Sequence, residues 1–130
     1  MTKNEYKNYI EALNGQGYEF VGNRYYYKYY CYKAIEYRDD EDGNSRAVCQ
    51  LLFYLFEQED NRSGYVEYAI KPAVIVSRNT DERLELTILQ SKQRSIEECE
   101  RIAKEFLRWV DINIDIKCNE INQNNQDNGK

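Results

Sequence analysis

The chain of 130 residues contains no histidine, so the side chain that most often moves protons near neutral pH is missing, and with it Ser-His, Cys-His and His-metal catalysis. Cys31, Cys49, Cys99 and Cys118 form no close pair of the kind that clamps zinc. Cys31 and Cys49 lie in β-prone stretches among apolar neighbours, and Cys99 lies on the apolar stripe of a helix. In those settings a reduced thiol packs as a small hydrophobe, the alternative being a four-cysteine metal site. Carboxylates are numerous, but Asp39 to Asp42, Glu57, Glu59 and Asp60 fall in turns, where charge is solvated. Glu85 with Gln90-Ser91-Lys92 comes nearest to the acid and Gln-x-Lys patterns of some nuclease folds, and it lacks the preceding Asp. Gly15-Gln16-Gly17 runs into a strand rather than a helix start, so it stops a helix instead of cradling phosphate. These residues give no expectation of an enzyme, and none of a cofactor or metal.

One constellation remains. Arg24-Tyr25-Tyr26-Tyr27-Lys28-Tyr29-Tyr30-Cys31-Tyr32-Lys33 contains no Gly or Pro and is strongly β-prone. A strand alternates its faces, so Tyr25, Tyr27, Tyr29, Cys31 and Ile35 lie on one side, with Arg24, Tyr26, Lys28, Tyr30 and Tyr32 on the other. The second set interleaves cations and aromatic rings. Such a surface can anchor a protein partner, or stack the bases of a single-stranded nucleic acid while Lys and Arg meet its phosphates. Tyrosine is also simply a good strand residue that packs its ring and wets its hydroxyl.

The elements that must position this strand follow from pattern. Thr2 with Glu5 fits a capping box, and Tyr6, Tyr9, Ile10 and Leu13 recur at helical spacing, which predicts a helix from about Lys3 to Asn14. Tyr18 to Val21 reads as a short strand and Gly22-Asn23 as a two-residue hairpin turn. Long strands follow over Arg24 to Arg38, Arg46 to Glu57 and Tyr65 to Ser77, with Pro72 marking a sheet edge or bulge. Leu84, Leu86 and Ile88 alternate with polar residues in a further strand. Ser95 with Glu98 is a second capping box, and Ile96, Cys99, Ile102, Ala103, Phe106, Leu107 and Val110 hold one helical face, with Trp109 beside it as core rim or contact anchor. Ile112, Ile114 and Ile116 alternate like a short final strand. The expectation is an α+β domain over residues 1–118: an N-terminal helix, a five-stranded antiparallel meander, a C-terminal helix packed on the sheet and the short strand. A disordered polar tail over 119–130 completes it.

In Val48 to Phe56 both parities are apolar: Cys49, Leu51, Phe53 and Leu55 on one side, Val48, Leu52, Tyr54 and Phe56 on the other. Val66, Tyr68, Ile70, Val74 and Val76 against Ala69, Ala73 and Ile75 repeat the pattern. Two helices are available to cover two faces. If they take one face each, nothing is left over. If they do not, a tyrosine-rich apolar patch stays open, larger than monomers carry without a use. The net charge of −5 gives no global attraction for nucleic acid or anionic membrane. The first residues lack the apolar core of a signal peptide, and no apolar run is long enough to span a bilayer, so the expected location is the cytoplasm.

Together these readings point to a non-enzymatic protein-binding module that docks a partner or a second copy, with Arg24, Tyr26, Lys28, Tyr30, Tyr32 and Tyr54 as contact residues. Single-stranded nucleic-acid binding on the same strand is the alternative. In element order alone the layout resembles secretion-chaperone-like domains, immunity proteins and phage-encoded inhibitors, with no residue-level match.

Overall fold

A computed structural model of the chain describes residues 1–22, 29–77 and 82–115. The expected tail over 119–130, Ile116, Cys118, and the contact candidates Arg24, Tyr26 and Lys28 lie outside the described residues. Helix α1, Lys3–Gly15, begins where Thr2 Oγ1 accepts the Glu5 N–H at 3.1 Å, as its capping pattern predicts. It buries Tyr6 and Leu13. Gly17, at φ +86°, takes the left-handed turn that leads out of the helix.

Five strands follow: β1 Glu19–Gly22, β2 Tyr29–Asp39, β3 Ser45–Glu59, β4 Val66–Ser77 and β5 Arg83–Thr87. They form one antiparallel meander in chain order. Gly22 pairs with Tyr29, and the expected turn at Gly22-Asn23 falls partly outside the described residues. Pro72 also departs from expectation, because its strand is interior, paired with β3 and β5. The missing N–H falls where the β5 ladder ends, and the Pro72 carbonyl accepts the Ile88 N–H at 3.0 Å.

Between β2 and β3 the register shifts twice, from Ala34↔Gln50 to Glu36↔Cys49 and then to Tyr37↔Ala47. Ile35 is thus an extra residue on one strand and Val48 an extra residue on the other, and the two bulges cancel. The second bulge turns Val48 onto the same side as Cys49, where it packs with Val76, Leu107 and Val110. Strict alternation had placed Val48 with Leu52 and Tyr54.

Helix α2, Ile96–Val110, is capped by Ser95, whose Oγ accepts the Glu98 N–H at 3.1 Å, and it buries Ile96, Cys99, Ala103, Leu107 and Val110. The expected strand after it does not form. Asp111–Asp115 continue as a π-helical turn. Arg38 donates to Asp111 Oδ1 and Oδ2 at 2.9 and 2.6 Å, and Asn113 Nδ2 donates to the Trp109 carbonyl at 2.9 Å. These three bonds hold the backbone wound where the isoleucine alternation alone would favour extension.

Both helices pack on one side of the sheet. Tyr6, Leu13, Cys99, Ala103 and Leu107 share a cluster with Cys31, Cys49, Leu51, Phe53, Leu55, Ile70, Val74 and Val76. Phe53 is its centre, 0% exposed and edge-on to Tyr9 and Tyr18 at 5.8 and 5.5 Å between ring centroids. No helix crosses the other side among the described residues.

Candidate partner-binding face of the sheet

The register lays out the uncovered side in rows. One row runs Glu19, Tyr32, Leu52, Ala73, Thr87 across the five strands. Two residues to one side stand Val21, Tyr30, Tyr54 and Lys71. Two residues to the other stand Ala34, Gln50, Ile75 and Glu85. Phe56 and Ala69 extend the face beyond Tyr54 and Lys71. The contact candidates that are described, Tyr30, Tyr32 and Tyr54, therefore meet on one surface, because their strands are adjacent and their parities match.

The rings form a contiguous group. Tyr30 lies 6.3 Å from Tyr32 and 6.0 Å from Tyr54 between centroids, tilted in each case. The Tyr32 hydroxyl donates to Glu19 Oε2 at 2.7 Å, and the Tyr54 hydroxyl reaches Glu85 Oε1 at 3.4 Å. Since Tyr54 is on β3 and Glu85 on β5, the Tyr54 ring must cross over β4. Beneath this layer Leu52 and Ala73 are only 7% and 2% exposed although no helix covers them. All three tyrosines stay half-buried, and Phe56 at the margin is 44% exposed. Hydrogen bonding to Glu19 raises the pKa of Tyr32, and burial followed by the Glu85 charge raises that of Tyr54, so both remain neutral donors at pH 7.

The remaining charges on the regularly paired rows are Lys71, whose ammonium sits 4.9 Å from the Phe56 ring centroid, Arg83 on β5, and Glu67, two residues beyond Ala69 on β4. Three acids and two bases thus share these rows. The carboxylates at Glu19 and Glu85 were not singled out as partners of the tyrosines in the sequence. Only the register brings them within reach.

Other candidates are placed as follows. The Gln90 amide donates to the Ile70 carbonyl at 3.1 Å and to Gln93 Oε1 at 3.2 Å, so it braces a loop, while Glu85 is taken up by Tyr54. Among the described residues no three His, Cys, Asp or Glu side chains group as metal ligands. Cys31, Cys49 and Cys99 are free and buried, and burial pushes their thiols up to about 12, 11 and 11. A hollow of about 270 Å³ lies over Val48, Val76, Leu107 and Val110, and Arg38 at its mouth is occupied by Glu36 and Asp111. Trp109 is 53% exposed and stacks on Phe106 at 6.3 Å, which fits either the rim or the contact-anchor reading. No described helix is long and apolar enough to cross a membrane.

No protein-family model, curated protein or solved structure matches this chain.

Proposed function

We propose that the chain is a non-enzymatic, cytosolic protein-binding module, of the kind that inhibits, neutralises or escorts another protein, and that it docks its partner on the tyrosine face of the sheet. The observation that carries this reading is the placement of both helices on one side, which leaves Tyr30, Tyr32, Tyr54 and Phe56 as the outer layer of the other. Rigid rings with few rotatable bonds, seated on strands, lose little entropy on contact, which suits them as anchors. The three described thiols are held far from the thiolate form that a nucleophile needs, which favours binding over catalysis. Glu19 and Glu85 tie down two of the three phenol hydroxyls, and their charges oppose phosphate, so a protein is the better-supported occupant than single-stranded nucleic acid.

The test is site-specific photo-crosslinking in cells. A photoreactive phenylalanine analogue replaces Tyr32 on the open face and, as a control, Glu105 on the outer surface of α2. A discrete adduct of higher mass is expected from position 32 and none from position 105. Equal labelling from both, or none from either, removes the reading.

A further inference from the structure

We infer that the occupant of this face is a second copy of the chain, the two sheets packing face to face about a two-fold axis that crosses the strands along the row Glu19, Tyr32, Leu52, Ala73, Thr87. The inference rests on the docking reading above and specifies the partner. Face-to-face sheets keep their strands within about 30° of one another at a spacing of about 10 Å, so register on one sheet translates to position on the other. A two-fold along that row keeps each strand over its own counterpart and exchanges what lies on one side of the row with what lies on the other.

Two features of the face match under that exchange. The first is charge. Lys71 stands two residues to one side of the row on β4, and Glu85 two residues to the other side on the neighbouring strand β5. Within one copy they stand four residues apart along neighbouring strands. The two-fold brings Lys71 of each copy beside Glu85 of the other, twice. The second is shape. On β2 the bulky Tyr30 and the small Ala34 are equally displaced from Tyr32 in opposite directions, so each Tyr30 ring falls over an Ala34. Along the axis itself Tyr32 meets Tyr32 and Leu52 meets Leu52, apolar against apolar, while at the β1 edge Glu19 meets Glu19, each carboxylate accepting the hydroxyl of its own Tyr32. The charges within four residues of the axis row, Glu19, Glu85, Lys71 and Arg83, sum to zero, with Glu67 further out on β4, while the chain as a whole carries −5. The two acidic molecules therefore meet less like charge here than their net charge implies.

The area suffices. Strands about 4.8 Å apart, three of them long and two, β1 and β5, only four and five residues, offer roughly 500 Å² per copy. The pair buries about 1,000 Å², at the low end of specific interfaces.

Light scattering after size exclusion on the full chain decides the matter. The mass is expected at twice 15.6 kDa, about 31 kDa, at about 100 μM protein. Lys71→Glu alone and Glu85→Lys alone, both at exposed positions, should each weaken association about tenfold or more by setting like charges opposite one another. An equimolar mixture of the two variants should restore the dimer, because each then meets its complement across the axis. A monomeric wild type, or a dimer indifferent to either charge reversal, or a mixture that fails to pair, overturns the inference. A monomer that still gives a position-32 adduct of some other mass in cells keeps the docking face and assigns it to a different protein. A monomer with no adduct removes both.

Discussion

The two faces of this sheet are almost equally apolar in sequence, yet they are closed by different means. On the helix side Phe53, Leu51 and Val74 are 0% exposed beneath two amphipathic helices. On the other, Leu52 and Ala73 reach nearly the same burial beneath a single layer of phenol rings, two of them held by hydroxyl bonds to carboxylates. A helix buries a face for good, because removing it unfolds the domain. A layer of side chains can stay in place, partly wet, while presenting its outer surface to something else. The difference separates the face that makes the fold from the face left free to bind.

The contrast is easiest to break with a pair of truncations. Phe53→Ala opens a cavity at the centre of the core and should cost about 3–5 kcal/mol. Tyr30→Ala removes ring contacts on a half-buried surface and should cost about 1 kcal/mol. Urea midpoints at unchanged slope give both numbers. If the two losses come out equal, the tyrosine layer is a second core, and its role in docking falls.

The thiols sharpen the same contrast through pH. Cys31, Cys49 and Cys99 have folded pKa values raised by burial to about 12, 11 and 11, above the roughly 8.5 of an unfolded thiol. A raised folded value means stability that is whole below about pH 8.5 and lost as pH rises toward those folded values, because only the unfolded chain can ionise. By pH 10 each buried thiol should have cost about 1–2 kcal/mol. Replacing Cys99 with Ala should flatten the decline between pH 8.5 and 10, as read from urea midpoints. A variant whose alkaline slope matches the wild type would place that thiol in contact with water.

Hydroxyls on the two faces should differ as well. Tyr18 is 4% exposed and donates to Glu100 Oε1 at 2.9 Å, with the Lys33 ammonium 3.8 Å from the same carboxylate oxygen. Tyr18→Phe leaves that acceptor short of a partner and should cost about 1 kcal/mol. Tyr32→Phe, on the open face, should change stability by no more than about 0.5 kcal/mol, since water takes the place of the lost donor. Comparable losses would mean that the open face is drier than its exposure implies.

How much of this was legible in the sequence varies with the range of the interaction. Both helices followed from local chemistry: Thr2 and Ser95 cap them as their spacing requires, and the apolar stripe of α2 is buried as its periodicity predicts. The meander followed from turn residues and alternating runs. Alternation also placed Tyr30, Tyr32 and Tyr54 on one surface, because parity survives wherever pairing is regular. It failed at Val48, where a bulge inserts one residue and reverses the side, and no residue type there marks the bulge. It failed again at Ile112 and Ile114, where the alternation is genuine but Arg38, 73 residues away, captures Asp111 and keeps the chain wound. Which face the helices cover was equally hidden, since both parities of β3 are apolar. The pairing of Tyr54 with Glu85 is a contact across two strands that only the register reveals.

A small expected effect also tests the junction that overrode the strand pattern. Hydrogen bonds from Arg38, with its charge, hold the Asp111 carboxyl below the ordinary value, and this outweighs the opposing effect of partial burial. A lowered folded pKa gives stability that is present above the unfolded value of about 3.9 and lost as pH falls through the folded one. The pair is bidentate, but the Asp111 and Arg38 side chains are 34% and 45% exposed, so solvent screening limits its worth at pH 7 to about 1 kcal/mol or less. Asp111→Asn should therefore lower the urea midpoint slightly at pH 7, and the gap to wild type should close as pH falls below about 4. The same substitution should loosen the π-helical turn, read as faster amide exchange at Ile112 to Ile114 than in the wild type, with α2 before it unchanged. Unaltered exchange there would mean that the Asn113 bond to the Trp109 carbonyl keeps the chain wound without the help of Arg38.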